Sequence, residues 1–461
     1  MTGQKKKNAI FYAVAAIGSN TSWYMINNYL MLFYTDVVTL SASAISLIML
    51  IARIWDAVND PMMGMIIDRT ESRWGKFRPY IVIGAPFLTV FNILTFTVFP
   101  LEGAAKVVVC LVCYVFAGMA YTALGTAING ICNRLSTDYQ ERMNYAAIGQ
   151  TAIALGNVLL AAFTMTIILH FSAGEAADAH GYFMGALIMS LASLPLCLIG
   201  AWQCKEIKID ELPPEGNDGQ KKSIKTSLKA MMKNKPLLIT VWSVLTGAVA
   251  VAGRMSLLSY YLIYVAGSYK LIAPVFTVLS AFQMLGNVIV PFGTKKFGKR
   301  NFLIIMMLTE VAGLIVMYFG PAANTAFIFV MTAIIGTANA FYSINYGMIY
   351  DCVDYGDLKF GVRDEALSTT FLTLGVKIAT AIVGAVSVIL LASIGYQAGV
   401  EQTASVQNGI NLIVNILPAV FLAISIVPLI WYKLDNKEME TIKTQLEARN
   451  RAAAEEEPSN M

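Results

Sequence analysis

The residues of this chain best equipped for chemistry lie in R-I-W-D-A-V-N-D-P, Arg53 to Pro61. Arg53, Asp56 and Asp60 carry full charges inside a run, residues 41–67, that otherwise reads as hydrocarbon and is long enough to cross a bilayer. An ionisable group at that depth costs roughly 2.5–3.5 kcal/mol on insertion scales, so such groups persist where they bind or move something. Asp56 and Asp60 stand one helical turn apart on one face, with Asn59 beside them. Two carboxylates and an amide oxygen held away from bulk water suit a small hard cation such as Na⁺, or a proton. The plainer reading is a structural ion pair with Arg53, but one arginine leaves one acid over.

The elements around these residues are membrane spans. Of 461 residues, 57% are hydrophobic and only 13% charged, and the mean hydropathy is +0.62, a composition outside the soluble range. Twelve apolar spans run from 8–35 to 408–432. The first follows Lys5, Lys6 and Lys7 and imitates a secretory signal. Its length, its Asn20, Asn27 and Asn28, and the spans directly behind it favour an uncleaved helix.

Basic residues set an expected orientation. With both ends on the cytoplasmic side, the inner segments hold 28 of the 33 Lys and Arg, the positive-inside pattern of a cell-membrane protein. Residues 204–236 form the one long polar connection and divide the chain into a six-helix bundle, 1–203, and a second, 237–433. A charged tail, 434–461, is expected to be a partly helical, fraying cytoplasmic end. W-G-K-F-R-P (Trp74–Pro79) opens span three and F-G-K-R-N-F (Phe297–Phe302) opens span nine, a weak echo that points to duplication. The expected fold is therefore all-α, with twelve transmembrane helices in two pseudo-symmetric bundles and a binding site between them.

Longer motifs make the expectation specific. G-M-I-I-D-R-T-E-S-R-W-G-K (Gly64–Lys76) resembles the loop signature of the major facilitator superfamily. R-I-W-D-A-V-N-D-P, R-W-G-K-F-R-P, Y-T-D-V-V (Tyr34–Val38) and V-D-Y-G-D (Val353–Asp357) resemble the glycoside–pentoside–hexuronide:cation symporters, the melibiose-permease-like branch. The resemblance spans nearly the whole chain. It implies a cation site of Asp56, Asn59, Asp60 and Thr122, a Lys377 near both cation and sugar, and Tyr121 and Thr373 lining the sugar cavity. It also exposes departures. Asn20 and Gly125 stand where melibiose-type members carry acids, and Gln150 stands where they carry an arginine.

Other charges admit two readings each. Lys377 is either a counter-charge to the acids or a substrate contact, and Arg254 in span seven is either structural or a second cation in the cavity. Together they favour an acidic sugar or uronide as substrate. The competing substrate is a neutral pentoside or oligosaccharide held by Asn20, Tyr121, Gln150, Asn345 and Thr373. Asp68, Arg69 and Arg73 of one half, with Asp351, Asp354 and Arg363 of the other, are expected to pair as a gate when the cytoplasmic side closes. C-x-x-C at Cys110 and Cys113 lies in an apolar span with no His nearby, and reads as small core residues.

The expected activity is symport of a sugar, glycoside or uronide coupled to Na⁺ or H⁺, working as a monomer in the lipid bilayer, with no cofactor and no nucleic-acid partner. Two other classes compare poorly. A membrane prenyltransferase would need two acid-rich Mg²⁺ motifs, and Asn59–Asp60 has no following acid until Asp68. A non-transporting nutrient sensor would need a signalling domain that the sequence does not supply.

Overall fold

A computed structural model describes residues 3–70, 72–132, 134–136, 139–204, 206, 231–361 and 365–456. Arg363 of the expected gate lies outside them. Six helices form the first half: α1 (Gly3–Leu32), α2 (Ala42–Asp68), α3 (Arg78–Thr95), α4 (Gly103–Cys132), α5 (Tyr139–Phe171) and α6 (Ala179–Gln203). The second half holds α7 (Lys235–Tyr260), α8 (Ile272–Phe297), α9 (Lys299–Phe319), α10 (Thr325–Ala338), α11 (Phe341–Phe360), α12 (Glu365–Ser393), α13 (Ala404–Asn411) and α14 (Leu417–Leu429). A tail helix, α15 (Asn436–Glu456), follows.

Polar caps mark where spans begin. Ser41, Asp178, Asn234, Asn324 and Thr403 each accept a backbone N–H from the first turn of the helix they precede, satisfying donors that have no partner within the helix. Outside the bundle the surface is apolar: Ile83, Trp202, Phe292 and Phe319 are all more than two-thirds exposed, as a lipid-facing wall requires.

Among the described residues, eleven helical segments are long and apolar enough to cross a membrane. α1 falls short although it is 30 residues long, because Ser19, Asn20, Asn27 and Asn28 lower its hydropathy. The tenth span departs from a single helix: it breaks at Asn339–Ala340 between α10 and α11, then continues to Phe360.

The repeat is visible in the backbone. α1 and α7 both end in a single π-helical turn, Phe33–Val37 and Tyr261–Val265. Gly75 and Gly298, the glycines of the two echoing loops, take φ of +105° and +80°, which only glycine adopts without strain. Glu206 accepts hydrogen bonds from the amides of Lys76, Phe77 and Arg78 at 2.8–2.9 Å, closing the start of α3.

The halves meet along α2 against α12 and α5 against α8. At the end away from the basic loops they are tied by polar contacts. Thr35 and Tyr260 share a 2.7 Å hydrogen bond, and Tyr264 and Tyr396 donate to Asp36 at 2.7 and 2.5 Å. The exposed Lys270 reaches Glu175 at 2.8 Å, which holds that carboxyl below its usual range. Up to Arg449 the tail helix docks on the second half instead of fraying. Arg449 makes two 2.9 Å bonds to the Asp357 carboxylate, and Met439, Ile442 and Leu446 are buried.

Candidate functional site

The cation-site residues named from sequence converge. α2 carries Asp56, Asn59 and Asp60 around one turn, and Thr122 of α4 donates to Asp60 Oδ1 at 3.0 Å. Lys377 of α12 forms an ion pair with Asp60 Oδ2 from the other half. Arg53 stands 3.9 Å from Asp56. Asn59 is fully buried, and neither its amide oxygen nor its nitrogen has a hydrogen-bond partner among the described residues. Pro61 withholds the amide proton that the Ala57 carbonyl would otherwise receive, adding another free oxygen to this turn. Gly118 of α4 presses on the cluster, since a Cβ there would lie 3.1 Å from Asp56 Oδ1.

A separate cavity of about 500 Å³ lies between the halves at mid-helix depth. Amides from three helices line it: Asn20 and Asn27 on α1, Gln150 and Asn157 on α5, Gln283 and Asn287 on α8. Asn20 donates to Asn157 at 2.7 Å, and Ser343 donates to Asn287 at 2.7 Å. Trp23 forms an aromatic wall, stacked on Tyr121 with ring centroids 4.2 Å apart and planes within 6°. No charged side chain lines this cavity among the described residues. A second hollow, which shares Asn27 and Met255 with it, contains Arg53.

Of the residues named from sequence, Asn20 and Gln150 line this cavity and Tyr121 lies behind it, stacked on Trp23; Trp23, Asn157, Gln283 and Asn287 were not among them. A signal was available. The amides recur at i, i+7 on α1 and α5 and at i, i+4 on α8, a polar stripe on otherwise apolar helices.

Three expected substrate contacts are corrected. Arg254 is 2% exposed and turned into its own half, where its guanidinium donates to the Met317 sulfur at 3.6 Å. An arginine in the middle of α7 packs inward because no aqueous edge is within reach. Asn345 is fully buried beside the Ser243 hydroxyl at 3.4 Å. Gly125 faces open space, with nothing within 4 Å of a built Cβ, so it contributes room rather than contact. Thr373 is exposed on α12 one turn before Lys377.

Among the described gate residues, Asp68 and Asp351 find their partners within their own halves. Asp68 pairs with Lys76 at 2.8 Å inside the first half, and Asp351 with Lys299 at 2.6 Å inside the second. Arg69 and Arg73 are exposed, and Asp354 lies three residues from Asp351 on α11. Cys110 and Cys113 are buried free thiols in α4.

Residues 11–436 match the model of the MFS/sugar transport protein family. The chain belongs to that family. It is a multi-pass membrane transporter of the major facilitator type and not an enzyme. Over 435 residues it is 32% identical to the isoprimeverose transporter of Lactiplantibacillus pentosus, covering 93% of this chain and 88% of that protein. It is 25% identical to the glucuronide carrier protein homolog of Escherichia coli, covering 96% of each. Among solved structures it resembles an inward-facing bacterial homolog of the lysosomal transporter Spinster, with TM-score 0.69, 14% identity and 94% and 97% of the two chains covered. The partially occluded, inward-open xylose transporter of Escherichia coli gives TM-score 0.65 at 12% identity, over 95% and 99% of the two chains. These likenesses establish the major facilitator fold, in keeping with the symporter branch that the motifs resemble.

Proposed function

We propose that this transporter carries a sugar or glycoside into the cell together with Na⁺ or H⁺, by alternating access, as a monomer. The observation that carries the reading is the Lys377–Asp60 ion pair. Asp60 belongs to the cation cluster on α2, and Lys377 to the opposite half. A cation arriving at Asp60 competes with the Lys377 ammonium for the same carboxylate. Site occupancy is thereby tied to how the halves dock, which is the differential affinity that coupling requires. Asn59, Thr122 and the Ala57 carbonyl supply neutral oxygens for a metal ion, and either carboxylate alone can take a proton.

The protein sits in the cell membrane with twelve spans, α1 being the first, and with both termini in the cytoplasm. Residues 1–203 carry the cation site, 204–236 link the bundles, 237–433 form the second bundle, and the tail docks on it. The outer end is tied by the Asp36 contacts, so this state opens inward. When the inner side closes, Asp351, Asp354 and Asp357 exchange their present partners for Arg69, Arg73 and their neighbours. The sugar-carrying relatives support the substrate class at this coarse level.

Reconstituted protein tests the coupling. Asp60→Asn is expected to abolish uphill uptake driven by a Na⁺ or proton gradient, while downhill exchange survives. Undiminished accumulation by Asp56→Asn/Asp60→Asn overturns the assignment.

A further inference from the structure

We propose that the substrate is an uncharged glycoside, and that Gln283 and Asn287 of α8, with Asn157 of α5, select it. The inference rests on the transport reading above. It follows from what the cavity offers and from what it withholds.

The cavity offers amides on both halves. Each Asn or Gln presents two N–H donors and a carbonyl acceptor, the complement of a sugar hydroxyl, which both donates and accepts. The Asn20–Asn157 and Ser343–Asn287 bonds fix two of these groups in direction before a ligand arrives. Gln283 and Asn287 lie one turn apart on α8 and face the α1 and α5 amides across the space. A pyranose placed there meets hydrogen-bonding groups on both rims, and Trp23 gives its C–H face an apolar wall. The volume, about 500 Å³, admits a ligand of disaccharide size.

What the cavity withholds is a counter-charge. A uronate or sulfonate moved out of water needs a cation or a dense set of donors. Amide carbonyls oppose it as much as amide N–H groups help. The nearest cations lie outside the cavity lining: Arg53 faces the adjoining hollow beside Asp56, and Lys377 pairs with Asp60. Arg254 is sealed inside its own half. Before the coupling ion binds, two acids and two bases balance the cation cluster, so the substrate cavity itself holds no positive charge among the described residues.

A site that hydrogen-bonds hydroxyls discriminates strongly against ligands that cannot answer it, by far more than tenfold in favourable cases. The probes are 4-nitrophenyl β-D-glucoside and 4-nitrophenyl β-D-glucuronide, which differ only in oxidation at C6, with the corresponding α-xyloside as a smaller neutral ligand. Calorimetric binding to the wild-type protein is expected to favour a neutral glycoside by at least about tenfold. Gln283→Ala/Asn287→Ala should weaken that binding about tenfold or more with an unchanged unfolding midpoint. Gln150→Arg, which adds a cation to the same wall, should raise glucuronide binding about tenfold, a gain that a misfolded variant cannot imitate. Glucuronide bound as tightly as the neutral glycosides, or imported under a cation gradient, overturns the inference and leaves the symport reading intact. Selective neutral binding with no cation-driven uptake does the reverse.

Discussion

Two groups of charges lie within the helices of this transporter, and they are built differently. The cluster on α2 borders the space between the halves, and its Asp60 is paired with Lys377 from across that space. Arg254 and Glu310 lie wholly inside the second half, both at most 2% exposed, and Arg254 donates to the Met317 sulfur. Each group holds ionisable side chains of both kinds within membrane spans, so location in a span alone does not distinguish them. The difference is which bodies they join. A pair across the halves changes strength whenever the halves move, and so sets conformational populations. One inside a single half keeps its partner through the cycle and contributes only to that half's stability.

The largest expected effect falls on the sealed couple. Arg254→Met deletes the guanidinium that donates to the Met317 sulfur inside the second half, and leaving buried polar groups unanswered costs about 1–3 kcal/mol. The unfolding midpoint in detergent should drop sharply. Uptake per folded molecule should stay near wild type. If the midpoint holds while uptake collapses, Arg254 belongs with the charges that move, and the contrast between the two groups is lost.

How much of this was legible in the sequence follows the same division. The spans, their halves and the acids of α2 are written in local patterns: apolar runs, charge asymmetry, and Asp56 and Asp60 one turn apart. The structure joins Asp60 to Thr122 and Lys377, the residues that the family resemblance placed beside it. Arg254 was visible as a charge, but its direction depends on packing around α7 that no local pattern records. Its contact, Met317, is 63 positions away on α9, and no motif links the two. Gln283 and Asn287 are legible as a polar stripe, but uncharged amides in a span carry a weaker local signal than ionised groups. The tail was read as fraying because its helix is mostly polar. Its docking depends on Arg449 meeting Asp357, a contact set by the tertiary fold.

A smaller effect should sharpen the bridging side of the comparison. Gly118→Ala places a methyl 3.1 Å from Asp56 Oδ1, closer than ordinary contact, and α4 cannot retreat without disturbing Thr122. The cation concentration for half-maximal uptake should rise about tenfold, a loss of about 1.4 kcal/mol. Gly64→Ala, on the same helix as Asp56 but with nothing within 4 Å, should leave it unchanged. Equal behaviour of the two variants would mean that the Asp56 position does not govern cation affinity.

The smallest effect belongs to the clasp at the opposite end. Asp36, from the Y-T-D-V-V motif, follows α1 and accepts hydroxyl hydrogen bonds from Tyr264 and Tyr396, both of the other half. It is thus a second bridging acid, held by neutral donors instead of a cation. Tyr396→Phe removes one donor and leaves the ring, while Tyr264 still serves the carboxylate. Loss of one such bond is worth about 1 kcal/mol, or about a fivefold shift toward the state open at that end. A single cysteine at Ser256, in the hollow that contains Arg53, reports the shift through its alkylation rate from the outer side. The rate should rise about fivefold in Tyr396→Phe and fall when the inner gate is forced open by Asp351→Lys. A rate indifferent to both changes would show that bridging contacts do not set the populations, and only the sealed couple's contribution to stability would stand.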